Sequence, residues 1–443
     1  MQSLRLSRPS QVQCHRGQYR SNPSSIMAAE DLVLGLTCAD KQSIVENYLK
    51  DSAGGKFTIL SSSVASFGEQ RTGYLGDHHQ LTIVIDSGED EGREITFFAK
   101  KLPTRIPKLA AYLVEMKAFS KEAELFRELL PRLLKFGRFG PECLFQKDNE
   151  LLVFKNVRVE GFKVLDGNRG LLDLVHLEQV LRALARLHAA SFALEAQVGR
   201  SLVEAFPGIL DENAWVNEEN HARTLELEVV IKTLCAVIEH HEKVEQRKEE
   251  LLRKIPDCVR QLFELVKSST GYRNAVGHGD LWNNNIMFQH NESGVPVDCL
   301  LVDFQLPRYV PPAYDFNMLA ALTTTRDFRR KHLTFLQGFY YQSLKSELLR
   351  HGLNIEHILS KDEFWESCKF YQKAGAIDSF IINHITLLPK NLLDETFSSA
   401  EQFERFDEKF KTEKCLKAFD EDAEYRSRVV DIVETLYEVF DLV

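Results

Sequence analysis

The chain contains the stretch Gly277-His278-Gly279-Asp280-Leu281-Trp282-Asn283-Asn284-Asn285-Ile286-Met287-Phe288, and Leu301-Val302-Asp303-Phe304-Gln305 follows shortly afterwards. Between the two lies a polar segment with a glycine, residues 290–294, which has a short apolar run on either side. Two apolar runs around such a segment predict a β-hairpin. Asp280 and Asn285 then lie on the loop that enters the hairpin, and Asp303 lies where the hairpin ends.

This arrangement of side chains suits phosphoryl transfer from ATP. That reaction needs a carboxylate to receive the proton of the acceptor hydroxyl, and hard oxygen ligands for Mg²⁺ that bridges the phosphates. The order His-x-Asp-x-x-x-x-Asn, followed by an aspartate at a strand end, is that of a kinase catalytic loop. We therefore predict Asp280 as the catalytic base, and Asn285 and Asp303 as catalytic residues that also bind the metal.

A lysine near the end of a strand is the predicted phosphate-binding cation. Residues 94–101, Glu-Ile-Thr-Phe-Phe-Ala-Lys-Lys, favour a strand that ends at Pro103. In kinases a lysine late in the third strand holds the α- and β-phosphates. Lys100 is assigned this role. Lys101 points to the opposite face of the strand, and a register shifted by one residue would exchange the two.

The residues from Leu109 to Leu130 predict a helix that supplies a partner for Lys100. Four apolar residues fall on one face at helical spacing, namely Phe119, Ala123, Phe126 and Leu130. Glu122 lies on the same face, where a carboxylate is costly unless it is paired. We predict a Lys100–Glu122 ion pair of the kinase type. The alternative is a glutamate at the helix flank with no such partner.

Three glycines lie between two strand-like segments, residues 57–67 and 81–85. Gly68, Gly73 and Gly76 suit a loop that folds over phosphates with its backbone N–H groups, and they are predicted to bind the nucleotide. Glycine-containing hairpins are common, so the pattern also fits an ordinary connection.

The His-Gly-Asp-Leu-Trp-x-Asn-Asn core, together with Asp-Phe-Gln, resembles the ecdysteroid-kinase-like family of insects, also called CHK-like kinases. That family is similar to aminoglycoside, choline and ethanolamine kinases. Residues 184–191, Leu-Ala-Arg-Leu-His-Ala-Ala-Ser, carry a further signature of the family. The resemblance extends from about Leu36 to the C-terminus and includes Lys100 and the pattern around Glu122.

The resemblance implies an α+β, bilobal protein-kinase-like fold. A small β-rich N-lobe would span residues 36–155 and a large, mainly helical C-lobe residues 156–443, after a disordered extension over residues 1–35. It also implies that Asp315 braces the catalytic loop. His188 and His278 are interpreted as hydrogen-bonding residues that support this loop, and the helices after Arg326 are expected to line the acceptor pocket.

The implied function is ATP-dependent phosphorylation of a hydroxyl group, with ATP and Mg²⁺ as cofactors. The expected acceptor is an ecdysteroid or another hydroxylated lipophile, including xenobiotic metabolites, which points to detoxification. One alternative is a choline- or ethanolamine-like kinase. Another is a catalytically silent pseudokinase that binds a ligand or a partner. The presence of Lys100, Glu122, Asp280, Asn285 and Asp303 argues against the silent form.

Composition limits the partners and the compartment. The 443 residues carry a net charge of −10, which argues against a nucleic-acid partner. No window approaches the roughly 18 apolar residues of a membrane span. The eight cysteines form no Cys-x-x-Cys pattern, which is typical of free thiols in a reducing compartment. We predict a cytoplasmic location, although the basic, acid-free residues 1–26 also fit a mitochondrial address. The oligomeric state stays open.

Overall fold

A β-sheet region is followed by a mainly helical part, which is the predicted α+β, kinase-like class of fold. The computed structural model describes residues 31–50, 56–67, 76–88, 91–103, 106–165, 167–396, 398–404 and 408–442. The strands are β1 (Thr58–Ser66), β2 (Asp77–Asp86), β3 (Glu91–Lys101), β4 (Cys143–Lys147), β5 (Leu151–Lys155), β6 (Phe162–Val164), β7 (Ala275–Gly277), β8 (Ile286–His290), β9 (Pro296–Leu301) and β10 (Arg308–Val310). The first helices are α1 (Asp31–Leu34), α2 (Cys38–Leu49), α3 (Pro107–Glu115), α4 (Ala118–Glu124) and α5 (Leu130–Leu133). The later helices are α6 (Leu174–Val198), α7 (Leu202–Ala205), α8 (Ala222–His241), α9 (Glu245–Arg260), α10 (Leu262–Leu265), α11 (Pro312–Thr323), α12 (Arg326–Arg350), α13 (Lys361–Thr386), α14 (Lys390–Thr396), α15 (Ala400–Glu404), α16 (Glu408–Glu421) and α17 (Ala423–Val439).

The large sheet is antiparallel, with strand order β1-β2-β3-β5-β4. Its core face follows the two-residue period of a strand: Leu81, Ile83 and Ile85 are buried, while the residues between them are partly exposed. Ile44 and Val45 of α2 belong to the same apolar cluster. In this strand order β3 is central, with β2 and β5 hydrogen-bonded on its two sides. These neighbours fix the position of the C-terminal end of β3.

Part of the segment assigned to the disordered extension is folded. Residues 31–34 form α1, and Leu34 is buried in the cluster that covers the sheet. Burial of this apolar side chain stabilises the short helix. Residues 1–30 lie outside the described part of the chain.

The prediction of a single helix from Leu109 to Leu130 is wrong, because the helix is interrupted in two places. Lys117 adopts a left-handed conformation, with φ +54°, and separates α3 from α4. Residues 125–129 then form a π-helical turn before Pro131. A proline has no N–H and clashes with the carbonyl four residues earlier; the wider turn moves that carbonyl away from the proline ring. The predicted apolar face remains buried.

The predicted hairpin is present, because β8 and β9 pair in antiparallel fashion. β6 completes this small sheet, and β7 pairs with β10 in another. The loop between β7 and β8 is therefore held at both ends by strands. Across the described ranges, no helix combines the length and the apolar composition that crossing a membrane requires.

The helices α11 and α13 pack together closely. A Cβ atom on Gly375 of α13 would lie only 2.5 Å from the backbone oxygen of Asn317 on α11. The side-chain amide of Asn317 donates to the backbone oxygen of Cys368 at 3.0 Å, which further joins the two helices. The absence of a side chain at Gly375 sets their separation.

We predict that Gly375→Ala lowers the free energy of unfolding by about 1–3 kcal/mol, since the helices must move apart to admit a methyl group. Gly338→Ala is the matched control. Gly338 lies in α12, and a Cβ atom on it would have no other atom within 4 Å, so alanine should be neutral or stabilise by up to about 1 kcal/mol. Urea unfolding of both variants measures the difference. Equal stability of the two would show that the contact between α11 and α13 tolerates a side chain.

Candidate active site

The loop after β7 is anchored by a buried aspartate. Asp315 of α11 is fully buried, and its carboxylate accepts backbone N–H groups from His278 at 2.7 Å and from Gly279 at 2.9 Å. A Cβ on Gly277 would lie 2.8 Å from that carboxylate. Gly279 has φ +77°, and a Cβ there would lie 1.9 Å from the backbone oxygen of Leu306. Glycine is therefore required on both sides of His278.

His188 of α6 completes the anchor. Its Nε2 lies 3.3 Å from Asp315 Oδ2, and its Nδ1 lies 2.5 Å from the Tyr340 hydroxyl. Burial alone would raise the pKa of Asp315, but the hydrogen bond from His188 and the donors of the loop hold it below its usual value. The carboxylate thus remains charged inside the protein and binds the loop.

His278 supports the loop from within. Its Nδ1 accepts the backbone N–H of Asp280 at 3.3 Å, and its Nε2 lies 3.0 Å from the backbone oxygen of Val302. These partners require the neutral tautomer that carries its proton on Nε2. Burial lowers the pKa of His278, which favours the same neutral form. The side chain therefore connects the loop to the end of β9.

Asp280 and Asn285 contact each other directly. The Asn285 amide nitrogen donates to Asp280 Oδ2 at 2.8 Å and to the Asp280 backbone oxygen at 2.9 Å. The amide oxygen of Asn285 accepts no hydrogen bond from the described residues, and Asn285 lines the cavity. Burial, reinforced by the negative charge of Asp303, raises the pKa of Asp280 to about 7.

Asp303 lies immediately beyond β9 in a left-handed conformation, with φ +67°. Such a conformation is uncommon for residues other than glycine and is often found at functional sites. Asp303 Oδ1 accepts from Lys100 Nζ at 2.7 Å. The Gln305 amide lies beside them; with its oxygen assigned to face Lys100 Nζ at 3.0 Å, its nitrogen lies 3.3 Å from Asp303 Oδ1.

Lys100 also contacts Glu122, with 2.7 Å between Nζ and Oε2. Both side chains are buried. Burial opposes the charge on Lys100, but Asp303 and Glu122 outweigh it and raise the pKa of the ammonium group. Lys101 lies elsewhere and donates to the backbone oxygen of Val33. Of the two lysines considered from the sequence, Lys100 is therefore the one that reaches the site.

The glycines assigned to nucleotide binding are only partly described. Gly76 lies beside the lysine, and a Cβ there would be 3.4 Å from Lys100 Cε. Gly68 and Gly73 lie outside the described residues.

A cavity of about 760 Å³ opens at these side chains. Near Lys100 its lining includes Phe67, Phe98, Phe154 and Asn156. Its lining continues over α3, α8, α11, α13, α16 and the segments beside them, with the apolar residues Met116, Trp215, Met318, Ile381 and Ile385 and the charged residues Arg223, Glu226, Asp378 and Lys411. Asp280, Asn285 and Asp303 also line it. The cavity has room for a drug-sized ligand.

A buried polar network behind the cavity was not predicted from the sequence. Arg308 donates through Nη1 to the Gly279 backbone oxygen at 2.7 Å, and its Nε pairs with Glu212. The Tyr314 hydroxyl lies 3.4 Å from Arg308 Nη1 and donates to Asp378 Oδ2 at 2.8 Å. The network therefore extends from the loop of Asp280 to the cavity side of α13.

One signal in the sequence could have identified Asp378. Ala374 lies four residues before it, and Ile381 and Ile382 lie three and four residues after it, so Asp378 is a carboxylate on an apolar helix face, as Glu122 is. Arg308 offers no such local signal, because its partners come from distant parts of the chain.

A five-stranded antiparallel sheet, a mainly helical second part and a lysine–glutamate pair beside a loop aspartate define a protein of the kinase-like class. The chain belongs to the ecdysteroid kinase-like family, as the sequence predicted, because the model of that family matches residues 70–353. The comparison with individual curated proteins finds no match.

The raised pKa of Asp280 carries a stability cost. Folding raises the pKa of this carboxyl from 3.8 to about 7, so the folded state favours the protonated form. The free energy of unfolding therefore declines as the pH rises through this range. Asp280→Asn carries no charge at any pH. We predict that it is more stable than the parent at pH 8, by at most about 4 kcal/mol, with a difference that shrinks toward pH 5.

Chemical unfolding at several pH values measures this difference. Glu292→Gln, which alters an exposed carboxylate, is the control and should leave the pH dependence unchanged. A constant difference between parent and Asp280→Asn from pH 5 to pH 8 would refute the raised pKa.

Proposed function

We propose that the protein is an ATP-dependent phosphotransferase that phosphorylates a hydroxyl group of an ecdysteroid or another hydroxylated lipophile, including xenobiotic metabolites. The observation that carries the proposal is the convergence of Asp280, Asn285 and Asp303 with the Lys100–Glu122 pair at one cavity. This set contains the parts that phosphoryl transfer requires, and all five residues line the cavity.

In this proposal Lys100 holds the phosphates of ATP, with Glu122 fixing the position of its ammonium group. Asp303 now occupies one side of that ammonium at 2.7 Å. A bound nucleotide offers Lys100 phosphate oxygens in its place, and Asp303 is then available to a cation. The aromatic residues Phe67, Phe98 and Phe154 supply an apolar surface at this end of the cavity for the base.

The residues also fit Mg²⁺. Asn285 contributes an amide oxygen and Asp303 a carboxylate, which are hard ligands of the kind Mg²⁺ prefers. Within the described residues no group of three or more His, Cys, Asp or Glu side chains could hold a metal ion. In nucleotide sites of this kind Mg²⁺ is held by one or two carboxylates together with phosphate oxygens and water. When bound, Mg²⁺ supplies charge that offsets the phosphate oxygens.

Asp280 is the proposed general base. Its carboxylate faces the cavity between the nucleotide end and the apolar end, where an acceptor hydroxyl would meet the terminal phosphate. A pKa near the working pH lets the group accept a proton and release it again. Asn285 keeps the carboxylate oriented through its amide nitrogen.

The apolar end of the cavity supports a lipophilic acceptor. Met318 and the isoleucines of α13 offer aliphatic contacts, which suit a steroid-like skeleton. A quaternary amine such as choline calls for an aromatic cage, and Tyr112, Trp215 and Trp282 also line the cavity, so a choline- or ethanolamine-like kinase is the alternative.

We further propose a bilobal organisation, with a small lobe of residues 36–155 and a large lobe of residues 156–443. A cytoplasmic location is also proposed. The seven described cysteines are free thiols, which suits a reducing compartment.

An ATP-consumption screen over steroids, choline and phenolic glycosides, read by mass spectrometry, tests the proposed function. Asp280→Asn keeps the size and shape of the base but removes its charge. We predict turnover at least about a hundredfold slower than the parent, because the chemical step loses its base, with ATP and acceptor affinity largely unchanged. A parent that binds ATP but phosphorylates no member of the library would support the pseudokinase alternative. Undiminished turnover in Asp280→Asn would mean that another group is the base.

Asp303→Asn tests the metal assignment. We predict that the enhancement of ATP affinity by Mg²⁺ falls, because a charged ligand is lost. Asp298→Asn is the matched control: Asp298 lies on the same hairpin, pairs with Arg186 at 3.0 Å and does not line the cavity. Titration calorimetry with and without Mg²⁺ measures both variants. If Asp303→Asn keeps the Mg²⁺ dependence of the parent and of Asp298→Asn, Asp303 is not a metal ligand.

A further inference from the structure

Asp378 is a buried carboxylate for which the proposed reaction has no role. It lies on α13, is 2% exposed and lines the cavity. Oδ2 accepts the Tyr314 hydroxyl at 2.8 Å, whereas Oδ1 has no hydrogen-bond partner in the part of the chain that the structure describes. Because Asp378 lines the cavity, Oδ1 can accept a hydrogen bond from a ligand. A hydrogen bond to a charged group contributes more than one between neutral groups.

Apolar side chains lie beside Asp378 in the cavity, although Arg308 and Arg223 also act on its charge. Ile381 and Ile382 follow it by three and four residues on the same helix, and Met318 of α11 lines the cavity with them. A ligand segment at this position therefore needs aliphatic surface around a single hydrogen-bond donor. A skeleton of fused or linked hydrocarbon rings that carries isolated hydroxyl groups has this character.

The charge of Asp378 is already partly offset by the protein. Arg308 acts on it electrostatically and lies close to Tyr314, the donor to Oδ2. Arg223 contributes in the same sense. Burial, opposed by these charges, raises the pKa of Asp378 to about 6, so the group is mainly ionised at neutral pH. A neutral hydroxyl is then a sufficient partner, and a ligand ammonium group is not required.

Asp378 is held in a fixed relation to the proposed base. Tyr314 lies between Asp378 and Arg308, and Arg308 donates to the backbone oxygen of Gly279, the residue before Asp280. α11 also anchors the loop through Asp315. The two carboxylates thus belong to one rigid arrangement, which fixes the separation of the ligand groups that can meet both.

We propose that Asp378 is a specificity-determining residue that binds a second hydroxyl group of the acceptor, so that acceptors are lipophiles with at least two separated hydroxyls. One hydroxyl meets Asp280 and the other donates to Asp378 Oδ1. That the cavity binds an acceptor rests on the proposed function. The new claim is that Asp378 selects acceptors by binding their second hydroxyl group.

The experiment measures binding to the full-length protein with ecdysone and a set of analogues in which each hydroxyl in turn is removed or oxidised to a ketone. Quenching of tryptophan fluorescence reports binding, because Trp215 and Trp282 line the cavity. For the parent, one removed hydroxyl should weaken binding by about tenfold, the usual scale for a hydrogen bond to a charged group. In Asp378→Asn, removal of the same hydroxyl should no longer weaken binding. The analogue in which that hydroxyl is oxidised to a ketone should bind more tightly than the alcohol. Asparagine can accept from Tyr314 with its oxygen and donate to the cavity with its nitrogen.

Two further variants guard against a purely structural explanation. Glu366→Gln changes an exposed carboxylate on the same helix and should keep the preferences of the parent. Tyr314→Phe keeps the carboxylate of Asp378 but removes the hydroxyl that donates to its Oδ2. The full acceptor should still bind more tightly than the analogue without the hydroxyl, with a smaller ratio of affinities than in the parent. This variant also provides the test if Asp378→Asn does not fold.

The outcomes separate this inference from the proposed function. Unchanged discrimination in Asp378→Asn, its complete loss in Tyr314→Phe, or a parent that binds no hydroxylated probe would overturn the role of Asp378. A parent that binds through Asp378 but transfers no phosphate would refute the proposed function and leave the recognition role intact.

Discussion

The buried carboxylate of Asp315 is the interaction on which the site depends. It accepts two consecutive backbone N–H groups of the loop and lies against His188. A buried charge is tolerated only when its partners are complete; here they come from α6 and from the loop between β7 and β8, while the carboxylate itself lies on α11. Loss of any one partner would leave a charge without compensation, so the anchor holds the three elements together. Gly277 follows from it, because the backbone must approach the carboxylate closely, whereas Gly279 is required by its positive φ and by its approach to the backbone oxygen of Leu306.

A second constraint is the sharing of one lysine between two carboxylates. Lys100 Nζ is 2.7 Å from both Glu122 and Asp303, which come from distant parts of the chain. One positive charge does not fully offset two negative ones, and the remaining negative potential contributes to the raised pKa of Asp280. The left-handed backbone of Asp303 directs its carboxylate into this cluster. A site with unbalanced negative charge of this kind is prepared for cations.

Local pattern was sufficient for the parts of the fold that repeat with a regular period or have a fixed spacing. The hairpin, the strand that carries Lys100 and the helix face with Glu122 could be predicted because each depends on a few neighbouring residues. The helix break at Lys117 could not, since no glycine or proline marks it and tertiary packing imposes the left-handed conformation. The network around Arg308 was missed for a related reason: its members are widely separated in sequence and meet only in the folded chain.

The helix α11 connects the two halves of the site. Asp315 faces the loop that carries Asp280, Tyr314 precedes it in the chain and contacts Asp378, and Met318 lies one turn further along the cavity wall. Asn317 on the same helix fixes the distance to α13 by its contact with Gly375. A change in acceptor preference that moved α13 would therefore disturb the loop as well, since one rigid helix supports both. Side chains that project into the cavity without joining this network, such as Ile381 and Ile385, are the positions where the acceptor can change at the least cost to the loop.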